Sequence, residues 1–239
     1  MNRISPVVKN LLIINVLLFL ATYVSGMQFQ FDLTRYLALY YPGSDYFRPY
    51  QFVTYMFMHG GIAHIFFNMY ALWMFGTVIE NTWGGKRFFL YYLVCGLGAG
   101  LTQVLVIGLK IYFLSQNIPQ DAIQLVYENG AKILSENKNY IGVLGELNLA
   151  INTCTVGASG AVFGILLAFG MMYPNVELMI MFIPIPIKAK WLVLGYGALE
   201  LILGVSQPGS SIAHFAHIGG MLFGFILIRY WILQAKKRR

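Results

Sequence analysis

The chain has 239 residues, of which 58% are hydrophobic and only 10% are charged. Soluble domains carry about 25% charged residues, so this composition argues against a water-soluble fold and indicates a polytopic membrane protein. The net charge of +7 comes mostly from short basic clusters that flank apolar runs. Such clusters are typical of membrane topology and of contact with anionic lipid, and they argue against nucleic-acid binding.

Six apolar runs, each near the roughly 20 residues that a membrane-spanning helix needs, predict one all-α membrane domain over residues 1–239. The runs cover residues 11–25, 62–79, 88–109, 155–173, 191–205 and 212–233. The first run follows Arg3 and Lys9, as the apolar part of a signal peptide would. It lacks a clear small-x-small cleavage site and five more spans follow, so we expect a retained helix.

The distribution of lysine and arginine predicts that both termini lie in the cytoplasm. With the N-terminus inside, eleven of the 16 basic residues fall on the cytoplasmic side and five on the outer side. The five outer residues are Arg35, Arg48, Lys110, Lys132 and Lys138. The compact six-span layout favours a bacterial inner membrane as the location, with an organelle membrane as the alternative.

Three connections carry signals of their own. The outer loop 26–61 is rich in Tyr and Phe and contains the turn signal Pro42-Gly43. The outer loop 110–154 contains apolar residues at helical spacing, which predict an amphipathic helix on the outer membrane surface. These residues are Ile123, Val126, Tyr127, Ile133 and Leu134. The cytoplasmic connection 176–188 contains two prolines and cannot run as one straight span.

Four polar side chains lie at one depth on three of the predicted spans. Ser159 is about four residues past the outer start of span four, and His217 is about five past that of span six. His64 and Asn68 are about two and six residues past the start of span two. At about 1.5 Å per residue, all four lie within roughly 3–10 Å of the outer boundary. Polar groups inside spans are expensive and often functional, so this common level predicts a site.

Glycines lie on the same helix face as Ser159 in span four and on the same helix face as His217 in span six. They are Gly160 and Gly164 in span four and Gly220 and Gly224 in span six. Small residues let helix backbones approach closely in lipid. We therefore expect spans four and six to touch along these glycines and to bring Ser159 to His217.

These residue types predict hydrolysis inside the bilayer. A serine hydroxyl becomes a useful nucleophile when a neighbouring neutral imidazole takes its proton, which assigns Ser159 as nucleophile and His217 as base. Attack on a carbonyl creates an oxyanion that needs hydrogen-bond donors. His64, Asn68 and the backbone amide of Ser159 are candidate donors, because the first amides of a helix have no intrahelical partner.

The sequence shows no well-placed carboxylate that would complete a catalytic triad with Ser159 and His217. Asp45 lies on a loop, and Glu200 is the only acid inside a predicted span, so the expectation is a Ser–His dyad rather than a triad. We expect neither a metal nor a cofactor. A metal site would have to draw on His59, His64, His214 and His217, and no cysteine or carboxylate stands at ligand spacing with them.

Simpler roles remain open for each residue taken alone. Ser159 has the position of a helix N-cap, and His217 has the character of a hydrogen-bonded buried histidine. His64 and Asn68, four residues apart on one face, have the spacing of polar contacts that join helices in lipid. The joint arrangement at one depth distinguishes a site from these separate roles.

Three blocks of the sequence resemble the rhomboid family of intramembrane serine proteases. They are His59-Gly60-Gly61-Ile62-Ala63-His64 continuing to Asn68, Gly157-Ala158-Ser159-Gly160, and Ala213-His214-Phe215-Ala216-His217-Ile218-Gly219-Gly220. Their order and their spans also match, so the resemblance covers about residues 45–230 and implies a six-helix rhomboid-like bundle.

The resemblance implies Ser159 as nucleophile, His217 as general base, and His64 and Asn68 in the oxyanion hole. It assigns supporting places to Gly157 and Gly160 in the nucleophile motif, to His214 in the same cavity, and to Phe163 against the catalytic imidazole. One departure stands out. Tyr50-Gln51 occupies the place where many relatives have Trp-Arg, which puts the anchoring of the first outer loop in doubt.

The predicted function is cleavage of transmembrane protein substrates near the outer membrane boundary through an acyl-enzyme on Ser159. Span five, with Gly195, Tyr196 and Gly197, is a candidate movable wall for sideways entry of the substrate from the lipid bilayer. One alternative is a transporter or channel with a histidine relay, in which Ser159 is dispensable and Glu200 matters. Another is a noncatalytic membrane receptor or chaperone, whose client binding survives loss of Ser159.

Overall fold

A computed structural model describes residues 4–29, 31–180, 183–207 and 213–237. The helices are α1 (Pro6–Phe29), α2 (Thr34–Leu37), α3 (Gln51–Thr54), α4 (Ile62–Ala71), α5 (Thr77–Trp83), α6 (Gly85–Ser115), α7 (Gln120–Ser135), α8 (Val143–Asn152), α9 (Ser159–Met172), α10 (Ala189–Ser206) and α11 (His214–Lys237). A 3₁₀ turn over Tyr55–Phe57 follows α3, and a π turn over Leu72–Gly76 joins α4 to α5. Two strands, β1 (Glu177–Ile180) and β2 (Ile183–Lys188), complete the described elements.

The predicted all-α membrane class is confirmed, with one change to the spans. Five helical stretches are long and apolar enough to cross a membrane: α1, the continuous stretch Ile62–Trp83, α6, α10 and α11. The sixth, α9, is apolar but only 14 residues long. The predicted start of this span at residue 155 is wrong, because Thr155 pairs with Leu39 in an extended bridge and the helix begins at Ser159.

The core lies where α6, α9 and α11 meet. Its fully buried side chains include Phe88, Tyr91, Tyr92 and Cys95 from α6 and Ile165 from α9. Tyr91 donates its hydroxyl hydrogen to the carbonyl oxygen of Gly164 at 2.8 Å, which ties α6 to α9 inside the core. The helix carrying Ser159 is therefore enclosed by protein, with α11 packed along one side of it.

A buried glutamate fastens the first helix to the second spanning helix. Glu80 accepts hydrogen bonds from the hydroxyl of Ser5 at 2.6 Å and from the amides of Val7 and Val8 at 2.9 and 2.8 Å. The first amides of a helix lack intrahelical partners, and a carboxylate there complements the helix dipole. The expectation that Glu200 is the only acid in a span is therefore wrong, since the second span continues to Trp83 and includes Glu80.

The first outer loop is anchored by Gln51, which is fully buried. Its Oε1 accepts from the amides of Tyr40 at 3.4 Å and Arg48 at 3.1 Å. Its Nε2 donates to the carbonyl oxygens of Tyr36 at 3.1 Å and Tyr46 at 2.9 Å. The departure from Trp-Arg at this position thus does not leave the loop without an anchor, because the glutamine amide binds four backbone groups.

The predicted amphipathic helix of the second outer loop is present as α7. Its Val126 packs with Leu147 and Ile151 of α8 and with Ile111 at the end of α6, which forms a second small core. Protein therefore covers part of the apolar face that the sequence assigns to the membrane surface. On the opposite side of the molecule, β1 and β2 pair antiparallel, with Glu177 opposite Lys188. The described residues of 176–188 form these strands and not a straight span, as predicted, although the strands themselves were not predicted.

Candidate active site

Ser159 is the first residue of α9, directly after an unusual backbone turn. Gly157 has a φ of 132°, a conformation that residues with a side chain rarely adopt. A Cβ at Gly157 would lie 2.9 Å from Nε2 of His64 and 3.4 Å from Oγ of Ser159. The glycine therefore lets the His64 ring approach the serine. Ser159 does not act as a helix N-cap, because the cap position belongs to Ala158.

The nucleophile and base candidates are in direct contact, although 58 residues separate them in sequence. Nε2 of His217 lies 2.7 Å from Oγ of Ser159. The glycines of α9 and α11 explain this approach. A methyl group at Gly220 would overlap the carbonyl of Gly160, and one at Gly164 would lie 3.0 Å from the carbonyl oxygen of Gly220. The helices thus approach backbone to backbone at Gly160, Gly164 and Gly220, as predicted, whereas Gly224 faces Tyr91 and Cys95 of α6 instead.

The imidazole of His217 stacks on Phe163, one turn after the serine. The ring centroids are 4.2 Å apart and the planes differ by 4°. Tyr196 of α10 meets the same phenyl ring edge-on, at 6.2 Å between centroids. The resemblance to rhomboids implied this contact of Phe163 with the imidazole, and the stack fixes the plane in which the ring of His217 presents its two nitrogens.

A carboxylate lies on the far side of the histidine, contrary to expectation. Oε2 of Glu200 is 3.0 Å from Nδ1 of His217 and 2.7 Å from Nδ1 of His214. The contact with His214 is a hydrogen bond, whereas Nδ1 of His217 has no aligned hydrogen-bond partner, so its contact with Glu200 is electrostatic. All three residues are buried, with exposed fractions of 7%, 4% and 8% for Glu200, His214 and His217.

The sequence contained a signal for this carboxylate. Glu200 lies about five residues before the outer end of the predicted fifth span, which is about 7.5 Å from the boundary. This depth matches that of Ser159 and His217. Unlike the spans that carry Ser159 and His217, span five runs outward, so the matching depth of Glu200 is found by counting back from the outer end of its span.

The two candidate oxyanion donors, His64 and Asn68, differ in which side-chain N–H groups remain for an oxyanion. The amide of Gly60 donates to Nδ1 of His64 at 3.3 Å, which leaves the hydrogen of a neutral His64 on Nε2, the atom nearest Gly157. Asn68 is buried, and its Nδ2 donates to the carbonyl oxygen of His64 at 3.0 Å. His64 therefore offers a donor toward Ser159, while one hydrogen of the Asn68 amide is held by its own helix.

The four histidines do not form one cluster. His59 lies edge-on to His64, with ring centroids 5.1 Å apart, and burial together with the neighbouring His64 lowers the pKa of His59 to about 4. Over the described ranges, the group with closely spaced ligand atoms is instead Glu200, His214 and His217, whose atoms lie within 4.8 Å of one another. The absence of a carboxylate near the histidines, expected from the sequence, is thus wrong.

The chain is similar to known proteins over most of its length. The rhomboid domain family matches residues 46–234. The chain belongs to the rhomboid family. Among the relatives of this rhomboid is the rhomboid protease GluP of Bacillus subtilis, 26% identical over 73% of the chain and 24% of the relative. Rhomboid-like protein 11, chloroplastic, of Arabidopsis thaliana is 25% identical over 92% of the chain and 64% of the relative.

A third relative of this rhomboid has a somewhat higher identity. RHOMBOID-like protein 4 of Arabidopsis thaliana is 31% identical over 71% of the chain and 31% of the relative. In each of these three comparisons the match covers less than two thirds of the relative's own length. The matches therefore show the family and its membrane fold, and they do not by themselves assign an activity or a substrate to this chain.

Proposed function

We propose that this rhomboid is an intramembrane serine endopeptidase that cleaves transmembrane protein substrates near the outer membrane boundary. The observation that carries the proposal is the 2.7 Å contact between Oγ of Ser159 and Nε2 of His217, which is partly buried at the end of an apolar helix core. A nucleophile within hydrogen-bond reach of its base, with the base held by further groups, is the arrangement that acyl transfer requires. The rhomboid protease among the relatives supports the same reaction class.

The reaction then proceeds in two halves. Oγ of Ser159 attacks the peptide carbonyl carbon while its proton passes to Nε2 of His217. The resulting oxyanion accepts hydrogen bonds from Nε2–H of His64 and from the amide of Ser159. The C–N bond breaks as His217 returns the proton to the leaving amine. Water, deprotonated by His217, next attacks the acyl-enzyme and releases the carboxylic acid and free Ser159.

The substrate has to change conformation before this chemistry. A transmembrane helix shields its carbonyls in intrahelical hydrogen bonds, so the segment to be cut unwinds locally at the site. We propose α10 as the wall through which it enters, because α10 exposes Leu194, Leu201 and Ile202 on its outer side and meets Phe163 through Tyr196.

We infer that both termini face the cytoplasm, since eleven of the 16 basic residues then lie on the inner side. Ser159, at the N-terminal end of α9, then opens toward the outer face. For the membrane itself we propose the bacterial cell membrane, in line with the Bacillus relative, and the chloroplastic and mitochondrial relatives define the alternative. Fractionation of the source cells separates these two locations.

The test is cleavage of a single-span reporter by purified protein in liposomes. Wild type is compared with Ser159→Ala and His217→Ala, each shown by circular dichroism and thermal unfolding to be folded. We expect both variants to lose activity by at least about 10³-fold, because members of such a unit fail together. A fluorophosphonate probe should label wild type at Ser159 and leave Ser159→Ala unlabelled.

Other outcomes point to the rival functions. Undiminished cleavage by Ser159→Ala would exclude the serine mechanism. A wild type that binds membrane clients, yet neither cuts nor reacts with the probe, would indicate a receptor or chaperone. Proton or ion flux that needs Glu200 but not Ser159 would indicate a transporter.

A further inference from the structure

We propose that Glu200 is a positioning residue for His217, which supports the proposed Ser159–His217 pair from the far side of the imidazole. The inference rests on the proposed function. It starts from the chain of contacts from Ser159 through His217 to Glu200, at 2.7 Å from Oγ to Nε2 and 3.0 Å from Nδ1 to Oε2. The three groups come from α9, α11 and α10, so no local sequence feature explains their meeting.

The first argument concerns the hydrogen on the imidazole. A neutral histidine carries one N–H, and the general base must keep the lone pair on the nitrogen that faces the serine. An ionised carboxylate can only accept hydrogen bonds, so Oε2 at 3.0 Å favours the hydrogen on Nδ1 and repels a lone pair there. Nε2 is then left as the acceptor for the hydroxyl of Ser159.

The second argument concerns charge. Proton transfer from Ser159 makes His217 a cation in a buried site, where a nearby carboxylate stabilises it strongly. Nδ1 of His217 is buried and lacks an aligned hydrogen-bond partner. Oε2 of Glu200, 3.0 Å away, accepts the hydrogen on Nδ1 once the ring or α10 shifts slightly. Buried polar atoms are rarely left without a partner, so we expect a hydrogen bond from Nδ1 of His217 to Oε2 of Glu200 during the reaction.

The third argument concerns the cost of the glutamate itself. A carboxylate inside an apolar spanning helix is expensive and is kept where it has partners and a role. Across the described part of the chain, the hydrogen-bond and ion-pair partners of Glu200 are His214 and His217. His214 donates to the same oxygen at 2.7 Å, which holds the carboxylate in place beside the base.

A metal is the competing use of these side chains, and the distances argue against it. Ligand atoms around a tetrahedral zinc at about 2.0–2.1 Å lie roughly 3.3 Å from one another. The Oε2–Nδ1 separations of 2.7 and 3.0 Å are shorter, as they are when the groups pair directly with one another.

The experiment compares Glu200→Gln with wild type in liposomes, with the equally buried Glu80→Gln as the matched control. Glutamine keeps the size of the side chain and removes its charge. We expect kcat to fall by about 10²–10⁴-fold with a change in KM below about threefold, because tautomer and charge act on chemistry rather than on binding. The rate of fluorophosphonate labelling at Ser159 should fall in parallel. Glu80→Gln should lower thermal stability yet keep kcat per folded molecule.

A second measurement does not depend on turnover. Side-chain ¹⁵N NMR of His217 should show the hydrogen on Nδ1 in wild type and a mixture of tautomers in Glu200→Gln, and Glu200→Asp should restore part of both the tautomer and the kcat. A wild-type tautomer and an unchanged kcat in Glu200→Gln would overturn the proposal. Losses that only follow the folded fraction would also overturn it, and so would activity that a chelator removes and zinc restores. If wild type neither cuts nor labels, the protease function fails while the tautomer result still decides the role of Glu200.

Discussion

Two helices, α9 and α10, flank His217, the proposed base, and they pack in opposite ways. Beside the stacked ring of Phe163, α9 meets α11 along glycine faces, where Gly160 and Gly220 lie backbone to backbone. By contrast, α10 meets its neighbours through large side chains, exposes much of its surface, and has open space around Gly195. Ser159 and His217, the proposed nucleophile and base, therefore lie on a closely packed pair of helices, while Glu200 lies on a helix with more open space around it.

The largest expected effect comes from breaking the tight pair. Gly220→Ala would force a methyl group into the carbonyl of Gly160, so the helices must separate. Overpacking of this kind costs about 1–3 kcal/mol, and the separation also moves Nε2 of His217 away from Ser159. We expect a lower unfolding temperature and a loss of probe labelling at Ser159. A variant that labels at the wild-type rate would show that the glycine contact does not set the site.

A smaller loss is expected where the two regions meet, at Phe163. Phe163→Leu removes the ring that stacks on His217 and that Tyr196 touches. Such aromatic pairs contribute about 0.5–1.5 kcal/mol beyond area burial, so kcat should fall by up to about tenfold. Steady-state cleavage of the reporter measures this. Phe163→Tyr, which keeps the ring, serves as the control and should retain more activity than the leucine variant.

The inner face of α10 should show a moderate effect. A Cβ at Gly204 would lie 3.0 Å from the ring of Phe215 and 3.2 Å from Cβ of His214, so Gly204→Ala pushes α10 slightly outward. The move lengthens the contact between Glu200 and the histidines. We expect a loss of about 1 kcal/mol in stability and a severalfold decrease in kcat, both smaller than for the overpacked Gly220. Equal damage from both variants would contradict the contrast between the helices.

The smallest effect is expected at Gly195, where a Cβ meets nothing within 4 Å. Alanine favours a helix over glycine by up to about 1 kcal/mol, so Gly195→Ala should be neutral or slightly stabilising. Thermal unfolding checks the stability. If the variant is stable but cleaves more slowly, the flexibility of α10 at this glycine limits turnover.

The contact between Ser159 and His217 could be predicted from the sequence, because membrane depth and the glycine face of a helix both follow from the positions of residues along the chain. It misplaced the start of α9, since residues 155–158 are compatible with an apolar helix and only the positive φ of Gly157 reveals the turn. It left Gln51 unexplained because its four partners are backbone groups of the loop. The role of Glu200 depends on the rotation of α10, which hydropathy does not encode.

The shortness of α9 has a consequence for the lipid. Fourteen helical residues span about 21 Å, whereas the hydrocarbon core of a bilayer is about 30 Å thick. The shortfall is about 9 Å, and because the core against α6 and α11 encloses α9, protein rather than lipid surrounds this short helix. The lipid therefore meets the longer helices around α9, and the non-helical backbone beside Ser159 is tolerated at membrane depth where protein encloses it.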